Sequence, residues 1–419
     1  MPDGLQPVVI ADDLTGAADT GVAFCRPDRP VHLRFAGAET GRPEGAAAFY
    51  TNTRAASPDA AGRAVRDLAE RIRRWPPPRP LVYKKIDSAL RGNLGPEIDA
   101  LLDGLGVRAA LIAPAFPGQG RTTLDGVHRI HGVPVAETEM ARDPVTPVID
   151  SRIDRLLSGR SPARSGRIDL KTVEAGGDRL AEAVRRMMAS GIRRFVFDAT
   201  DDGHLSAVAG LADPGWGLDG ILFVGSAGLA HALAGGAEPI DVAFPVRRRI
   251  LVVCGSASPV SKNQVAILRE TLPEACRVDE FAPAELAEPA APSETVDHPG
   301  GGVPGVWILA VASVFDSAAG RSVSPEAVVH GLARRAVARM ARYRPDALVL
   351  IGGDTAHAVF KGANAEGMTL TGEILSGLAG GRIAGGPWHR LPTVTKAGAF
   401  GGPETLVRLY QHLTGDKDS

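Results

Sequence analysis

Short apolar runs that end in small or acidic residues constrain this chain more than any other feature. They are PVVIADD (7–13), AAAFYTNT (46–53), LVYKKIDS (81–88), AALIAPAFPG (109–118), RFVFDAT (194–200), ILFVGSAG (221–228), ILVVCGSAS (250–258), VWILAVAS (306–313) and ALVLIGGDT (347–355). Uninterrupted apolar strands are those buried on both faces, as in parallel sheets. Helical segments lie between them. Ser57-Pro58-Asp59 predicts a helix start running to about Trp75, and Ser324-Pro325-Glu326 another running to about Arg342, each a serine cap followed by proline. Strand alternating with helix predicts an α/β protein. At 419 residues one core does not suffice. The expectation is two α/β domains, 1–240 and 241–419, with largely parallel sheets facing a shared cleft. The boundary is placed in GGAEPIDVAFPVRRR (235–249), and residues 282–305 read as a loose surface insertion. No internal repeat is evident.

Charge and motif content remove several function classes. A net charge of −1 argues against nucleic acid or an anionic membrane as the main partner. Cys25, Cys254 and Cys276 are scattered and lack metal-type spacing, which fits a reduced compartment. With no apolar leader and no run of membrane-spanning length, the chain reads as cytoplasmic and complete. GxxxxGK[ST], HExxH, paired CxxC and GxSxG are all missing from the sequence. The GxGxxG at 300–305 precedes a strand instead of following one and is treated as accidental.

In open α/β sheets ligands sit beyond the carboxyl ends of the strands, so those ends rank first as sites. Asp12 and Asp13 end the first run, with Thr15-Gly16 expected as the turn into a helix over 17–25. A carboxylate there can take a proton from a hydroxyl or hold Mg²⁺. The structural alternative is that one aspartate caps the helix while the other faces water. A second cluster, YKKIDSALRGNLGPEI (83–98), crowds Lys84, Lys85, Asp87, Ser88, Arg91 and Asn93 into one turn. Strand alternation sends the two lysines to opposite faces, so one reaches the ligand. Arg91 can grip a carboxylate with its fork, Arg54 is a second anion contact, and Ser88 and Asn93 can read hydroxyls. Pro114, Pro117, Gly118 and Gly120 predict an irregular loop along which Arg121-Thr122-Thr123 lie, while His128 and His131 read as structural.

The C-terminal half differs. Gly255-Ser256-Ala257-Ser258, Gly352-Gly353-Asp354-Thr355 and Lys396-Ala397-Gly398-Ala399-Phe400-Gly401-Gly402 each follow an apolar strand. Such turns let backbone N–H groups approach phosphate oxygens. The front half thus suits a small polyhydroxy acid and the back half a nucleotide. Phosphoryl transfer would use both.

ADDLTGAADTG, YKKIDSALRGN, GRTTLDGVH, GSAGLA, the GSAS turn, LIGGDTA and TKAGAFG occur in the order found in the four-carbon acid sugar kinase family, which this chain resembles from about residue 8 to residue 402. The resemblance implies an N-terminal acid-sugar domain, a C-terminal ATP domain and phosphorylation of a terminal hydroxyl. Asp13, Arg54, Lys85, Asp87, Ser88 and Arg91 match the substrate side, and Ser256, Ser258, Gly352–Thr355 and Gly398 the ATP side. Pro387-Trp388-His389, within 380–394, departs from the family pattern and is expected at the pocket rim. The expected reaction is Mg·ATP-dependent. Arg91 with Lys85 or Arg54 holds the substrate carboxylate, Asp13 orients or deprotonates the hydroxyl, and Asp12 places Mg²⁺ or supports Asp13. Lys396 and Gly401 join the nucleotide turns. The partners are then a small sugar acid and ATP, and a homo-oligomer is compatible. Two rivals stand beside this reading. One is a sensor that binds both ligands without turnover. The other is an aspartyl phosphatase, which would place its second carboxylate two residues after the first, where this chain has Leu14.

Overall fold

Every one of these apolar runs contains a β-strand in the computed structural model, which describes residues 6–37, 41–143, 145–158, 164–235, 247–288, 305–312 and 323–415. The chain divides into two compact units. One comprises Met1–Phe24 with Val31–Glu238, the other Cys25–Pro30 with Pro239–Ser419. Residues 236–246 of the expected boundary lie outside the described residues.

The strands of the first unit are β1 (Pro7–Ala11), β2 (Val31–Phe35), β3 (Ala46–Tyr50), β4 (Leu81–Lys85), β5 (Ala109–Ala113), β6 (Arg121–Leu124), β7 (Val127–Ile130), β8 (Val133–Pro134), β9 (Arg164–Ile168), β10 (Ile192–Phe197) and β11 (Ile221–Gly225). A parallel sheet runs β2-β3-β1-β4-β11-β5-β10-β9. β1, β3 and β5 are buried at every position, as uninterrupted apolar sequence requires. Helix α1 is Leu14–Gly21, α2 is Pro58–Arg73 and α3 is Leu94–Leu105. The first of these starts earlier than expected, because Asp13 is already its N-cap. In α2, Ser57 Oγ accepts a hydrogen bond from Ala60 N and Pro58 opens the first turn. Its inner face is Ala61, Val65, Leu68, Ala69 and Ile72. Full burial of each large side chain there contributes about 1.5–3 kcal/mol.

The loop expected after β5 is more regular than its prolines implied. A single turn at Pro117–Gln119 leads into the antiparallel sheet β6-β7-β8, whose first hairpin turns at Asp125 (φ 57°) and Gly126 (φ 71°). Asp-Gly with both residues at positive φ matches the twist of paired strands.

The second unit contains β12 (Ile250–Cys254), β13 (Cys276–Phe281), β14 (Val306–Val311), β15 (Ala347–Ile351), β16 (Gly367–Leu375), β17 (Leu378–Ala384) and β18 (Pro392–Lys396). Its sheet runs β13-β14-β12-β15-β18-β17-β16, parallel as far as β18 and antiparallel beyond. The central order β13-β14-β12-β15 repeats the pattern β2-β3-β1-β4 of the first unit, although no repeat is visible in the sequence. Of the segment 282–305, Pro283–Ala287 is helical, with Glu285 accepting from Ala282 N, and 289–304 lies outside the described residues, as does all but the last residue of the GxGxxG. No helix among the described residues is long and apolar enough to cross a membrane.

Candidate active site

Strand order decides which loops meet. β1 is flanked by β3 on one side and β4 on the other, so the chain reverses its direction of travel across the sheet at β1. Such a switch point opens a crevice at the carboxyl ends. The loops that follow these three strands bring Arg54, the Asp12–Asp13 pair and the Lys85–Arg91 turn together.

Arg54 answers the repulsion between the two aspartates. Its Nε and Nη2 donate to Asp12 Oδ2 and Oδ1 at 2.8 and 2.9 Å, and its Nη1 and Nη2 donate to Asp13 Oδ2 and Oδ1 at 3.0 and 2.8 Å. Burial disfavours the Asp12 carboxylate, but Arg54, Lys84 and Lys85 outweigh it and hold the group below the usual range. For Arg54 the same contest ends alike: burial opposes the cation, while Asp12, Asp13 and Asp87 keep it firmly charged. Asp13 also accepts from Thr15 Oγ1 at 2.7 Å and from Gly16 N at 2.9 Å, so each of its oxygens already takes two donors. It caps α1, and neither aspartate faces open water.

The lysines part as strand alternation requires. Lys84 is fully buried in an ion pair with Glu97 at 2.5 Å, and Glu97 also accepts from Thr53 Oγ1 at 2.6 Å. Lys85 turns to the α1 face and is only 5% exposed, yet its ammonium has no hydrogen bond or ion pair among the described residues. It passes close over Gly16, where an added methyl would stand 3.1 Å from Nζ and overlap the Asp13 carboxylate. Glycine at this position therefore admits both groups.

Arg91 is engaged with carboxylates of the protein itself. Nε and Nη2 donate to Asp87 at 2.9 and 3.1 Å, and Nη1 to Asp143 at 3.3 Å. Burial raises Asp87, but Arg91, Arg54 and Lys85 together hold it well below the usual range. Asn93 Nδ2 donates to the carbonyls of Thr53 and Ala56, each at 3.0 Å. It ties two loops together, so its donors are not available to read a hydroxyl. Ser88 is buried as a residue, and its hydroxyl makes no hydrogen bond among the described residues. Its carbonyl accepts from His128 Nε2 at 2.8 Å, so the other ring nitrogen, Nδ1, accepts from Thr123 Oγ1 at 3.0 Å. Burial drives His128 down to about 4, and it is a neutral strut behind the Ser88 turn.

Sequence reasoning missed Asp19, Glu97 and Thr53. Asp19 had one visible signal: it is the lone charge in LTGAADTG, a helix in which every residue is buried.

In the second unit the glycine turns follow β12, β15 and β18, which are neighbours in the sheet. A methyl at Gly398 would overlap Ser256 Oγ, and one at Gly255 would overlap Thr355 Oγ1. Ser261 Oγ donates to Gly398 O at 2.6 Å, and Gln264 Nε2 donates to Phe400 O and Gly402 O at 3.1 and 2.8 Å. The helix Pro259–Thr271 thereby clamps the Lys396–Gly402 turn, a role no motif announced. That helix is capped by Ser258, and Ser258 N donates to Ser256 Oγ. By contrast the helix Gly353–Gly362 follows Gly352 (φ 105°) and has no side-chain cap, leaving its first N–H groups for an anion. Gly353 and the exposed Asp354 open that helix. Lys396 is buried, donates to Ala397 O at 3.0 Å and Gly398 O at 3.4 Å, and is pulled down by burial to about 8. Pro387-Trp388-His389 joins β17 to the start of β18, the strand end opposite Lys396. The rim expectation fails because a parallel neighbour of β15 must enter from the far edge.

The donor sets can be compared with the groups the reaction needs. The uncapped helix start and the glycine turns fit nucleotide phosphates. Asp12 does not fit Mg²⁺ as placed, because Arg54 already stands opposite both of its oxygens, and no cluster of three metal-ligating side chains occurs among the described residues. A Mg²⁺ accompanying the nucleotide would take phosphate oxygens and water.

A model described as a sugar-binding N-terminal domain matches residues 7–233, and one described as a nucleotide-binding C-terminal domain matches residues 251–406. The chain is 32% identical to a D-threonate kinase of Salmonella typhimurium, covering 98% of each. It is 31% identical to a D-erythronate kinase of Heliobacterium modesticaldum, covering 97% of this chain and 96% of that one. The crystal structure of a Haemophilus influenzae protein aligns with a TM-score of 0.69 at 21% identity, over 98% of this chain and 99% of the other, a likeness of fold. The architecture and these relatives are those of a two-domain α/β phosphotransferase acting on an alcohol group. The chain belongs to the four-carbon acid sugar kinase family.

Proposed function

We propose that the protein phosphorylates the terminal hydroxyl of a four-carbon sugar acid of the threonate, erythronate or 3-oxo-tetronate type, with ATP as donor and Mg²⁺ bound through the nucleotide. The observation that carries this reading is Lys85, a residue only 5% exposed at the switch point of the first sheet, whose ammonium has no hydrogen bond or ion pair among the described residues. A largely buried ammonium with its donors unused favours an anionic ligand that can accept from it. On this reading Lys85 takes the acid's carboxylate and Ser88 one of its hydroxyls. Arg54 and Arg91 hold the pocket's own carboxylates in register, with Asp12, Asp13 and Asp87 as their counter-ions. The nucleotide phosphates rest on the turns at Ser256–Ser258, Gly352–Thr355 and Lys396–Gly401. Positioning and charge neutralisation then supply most of the rate.

The test is ADP formation over a panel of D- and L-threonate, D- and L-erythronate and their 3-oxo forms. ADP from at least one of them is expected. Binding of both ligands with no ADP from any would make the protein a sensor, and ATP-independent release of phosphate would make it a phosphatase. Lys85→Met is expected to raise KM for the acid about 100-fold, the loss of a charge-assisted contact, while KM for ATP stays within about twofold.

A further inference from the structure

Asp19 takes no part in the ion pairs described above. It lies one helical turn beyond Gly16 on α1, so the two positions share a face. Its residue is 7% exposed, and its carboxyl makes no hydrogen bond or ion pair among the described residues. Lys85, on the neighbouring strand, is equally buried and equally unpartnered. Two opposite buried charges that do not touch each other favour a polar ligand that meets both. The charged and titratable groups that face Asp19 are Lys85 and the Tyr83 phenol from β4, Asp13 at the start of its own helix, and Arg121 from β6. Burial dominates and drives the Asp19 carboxyl up to about 6, with Asp13 adding to it and Lys85 and Arg121 opposing.

A general base needs a free lone pair within reach of the proton it takes. Asp13 has all of its lone pairs committed to Arg54, Thr15 and Gly16, and Asp12, which accepts one Arg54 donor on each oxygen, is held below the usual range by Arg54, Lys84 and Lys85 and is thereby the weaker base. We propose that Asp19, and not the Asp12–Asp13 pair, accepts the proton of the attacking hydroxyl. The inference rests on the kinase reading above. As the hydroxyl oxygen bonds to the terminal phosphorus, the bond from that phosphorus to the bridging oxygen breaks and its electron pair leaves with ADP. The hydroxyl proton passes to an Asp19 oxygen and from there to solvent. Lys85 holds the acid beside it.

The experiment compares wild type, Asp19→Asn and Asp13→Asn on the acid of the panel that yields ADP. Asp19 must be ionised to act, so wild-type kcat/KM should fall as pH drops through about 6. Asp19→Asn is expected to lower kcat about 10²–10⁴-fold, leave the acid's Kd within about threefold, and abolish that acidic limb. Asp19→Ala, with less side chain to misplace, should regain part of its kcat when formate is added. Asp13→Asn should keep the limb. The proposal is overturned if Asp19→Asn retains both turnover and limb, or if the limb disappears with Asp13→Asn instead. Should both Asp19 variants fail to fold, a wild-type profile with no limb between about pH 5 and 7 overturns it and one with the limb upholds it. A wild type that turns over no acid removes the kinase reading itself, a separate result visible before any variant is made.

Discussion

At Arg54, hydrogen bonds of 2.8–3.0 Å hold two adjacent buried carboxylates whose mutual repulsion would otherwise oppose the end of β1. Arg54→Ala leaves both buried charges without their hydrogen-bonded counter-ion, and a loss of about 3–5 kcal/mol is expected in denaturant unfolding. Arg54→Lys should recover little, because an ammonium lacks the fork that spans the pair. Asp19 gives the opposite stability effect. Burial pushes its carboxyl up to about 6 in the folded protein from an ordinary 3.8, so the folded state binds the proton more tightly. The resulting stability is fully present below pH 3.8 and is lost as pH rises through 6. Asp19→Asn should therefore be more stable than wild type by about 2–3 kcal/mol at pH 8, with the gap closing in acid. Thermal melts of the two proteins across that pH range would measure it. Asp12 and Asp13 were legible as candidate site residues from their place after an apolar run. That Arg54 would bond both of them was not, because the two segments are brought together by the pairing of β1 with β3.

Elements carry the site through close approaches that a side chain would block. Gly16→Ala drives a methyl into the Asp13 carboxylate and against Lys85 Nζ. Loss of the cap costs about 1 kcal/mol, and KM for the acid should rise while KM for ATP holds. Gly398→Ala meets Ser256 in the second unit and should do the reverse, raising KM for ATP and leaving the acid's unchanged. Steady-state kinetics with each substrate varied in turn separates the two. The strands of both sheet centres were readable because residues buried on both faces must be continuously apolar. The hairpin β6–β7 was not read, although Asp125-Gly126 is a strong turn signal, because the surrounding prolines and glycines dominated the segment. β16 and β17 were missed for a different reason: their glycines and polar residues weaken any periodic pattern, and an antiparallel edge is decided by its neighbours.

For the whole molecule, two units with separate cores predict that ligands protect different halves of the chain. In amide hydrogen exchange, the sugar acid should slow residues around 12–21 and 85–93, and a non-hydrolysable ATP analogue residues around 255–261, 353–356 and 396–402. Protection of the first set by the nucleotide alone would contradict the division of labour. The order of motifs along the chain was sufficient for the family, the α/β class and the two kinds of chemistry, because strand burial and turn composition are local properties written in consecutive residues. Which charges are free was decided by tertiary structure alone. Arg54 and Arg91, the evident anion grips, are engaged by Asp12, Asp13, Asp87 and Asp143, while Lys85 and Asp19 are left without a hydrogen bond or ion pair among the described residues. The reason is physical: pairing between charges depends on distances set by sheet order, and sheet order brings together residues that lie far apart in sequence.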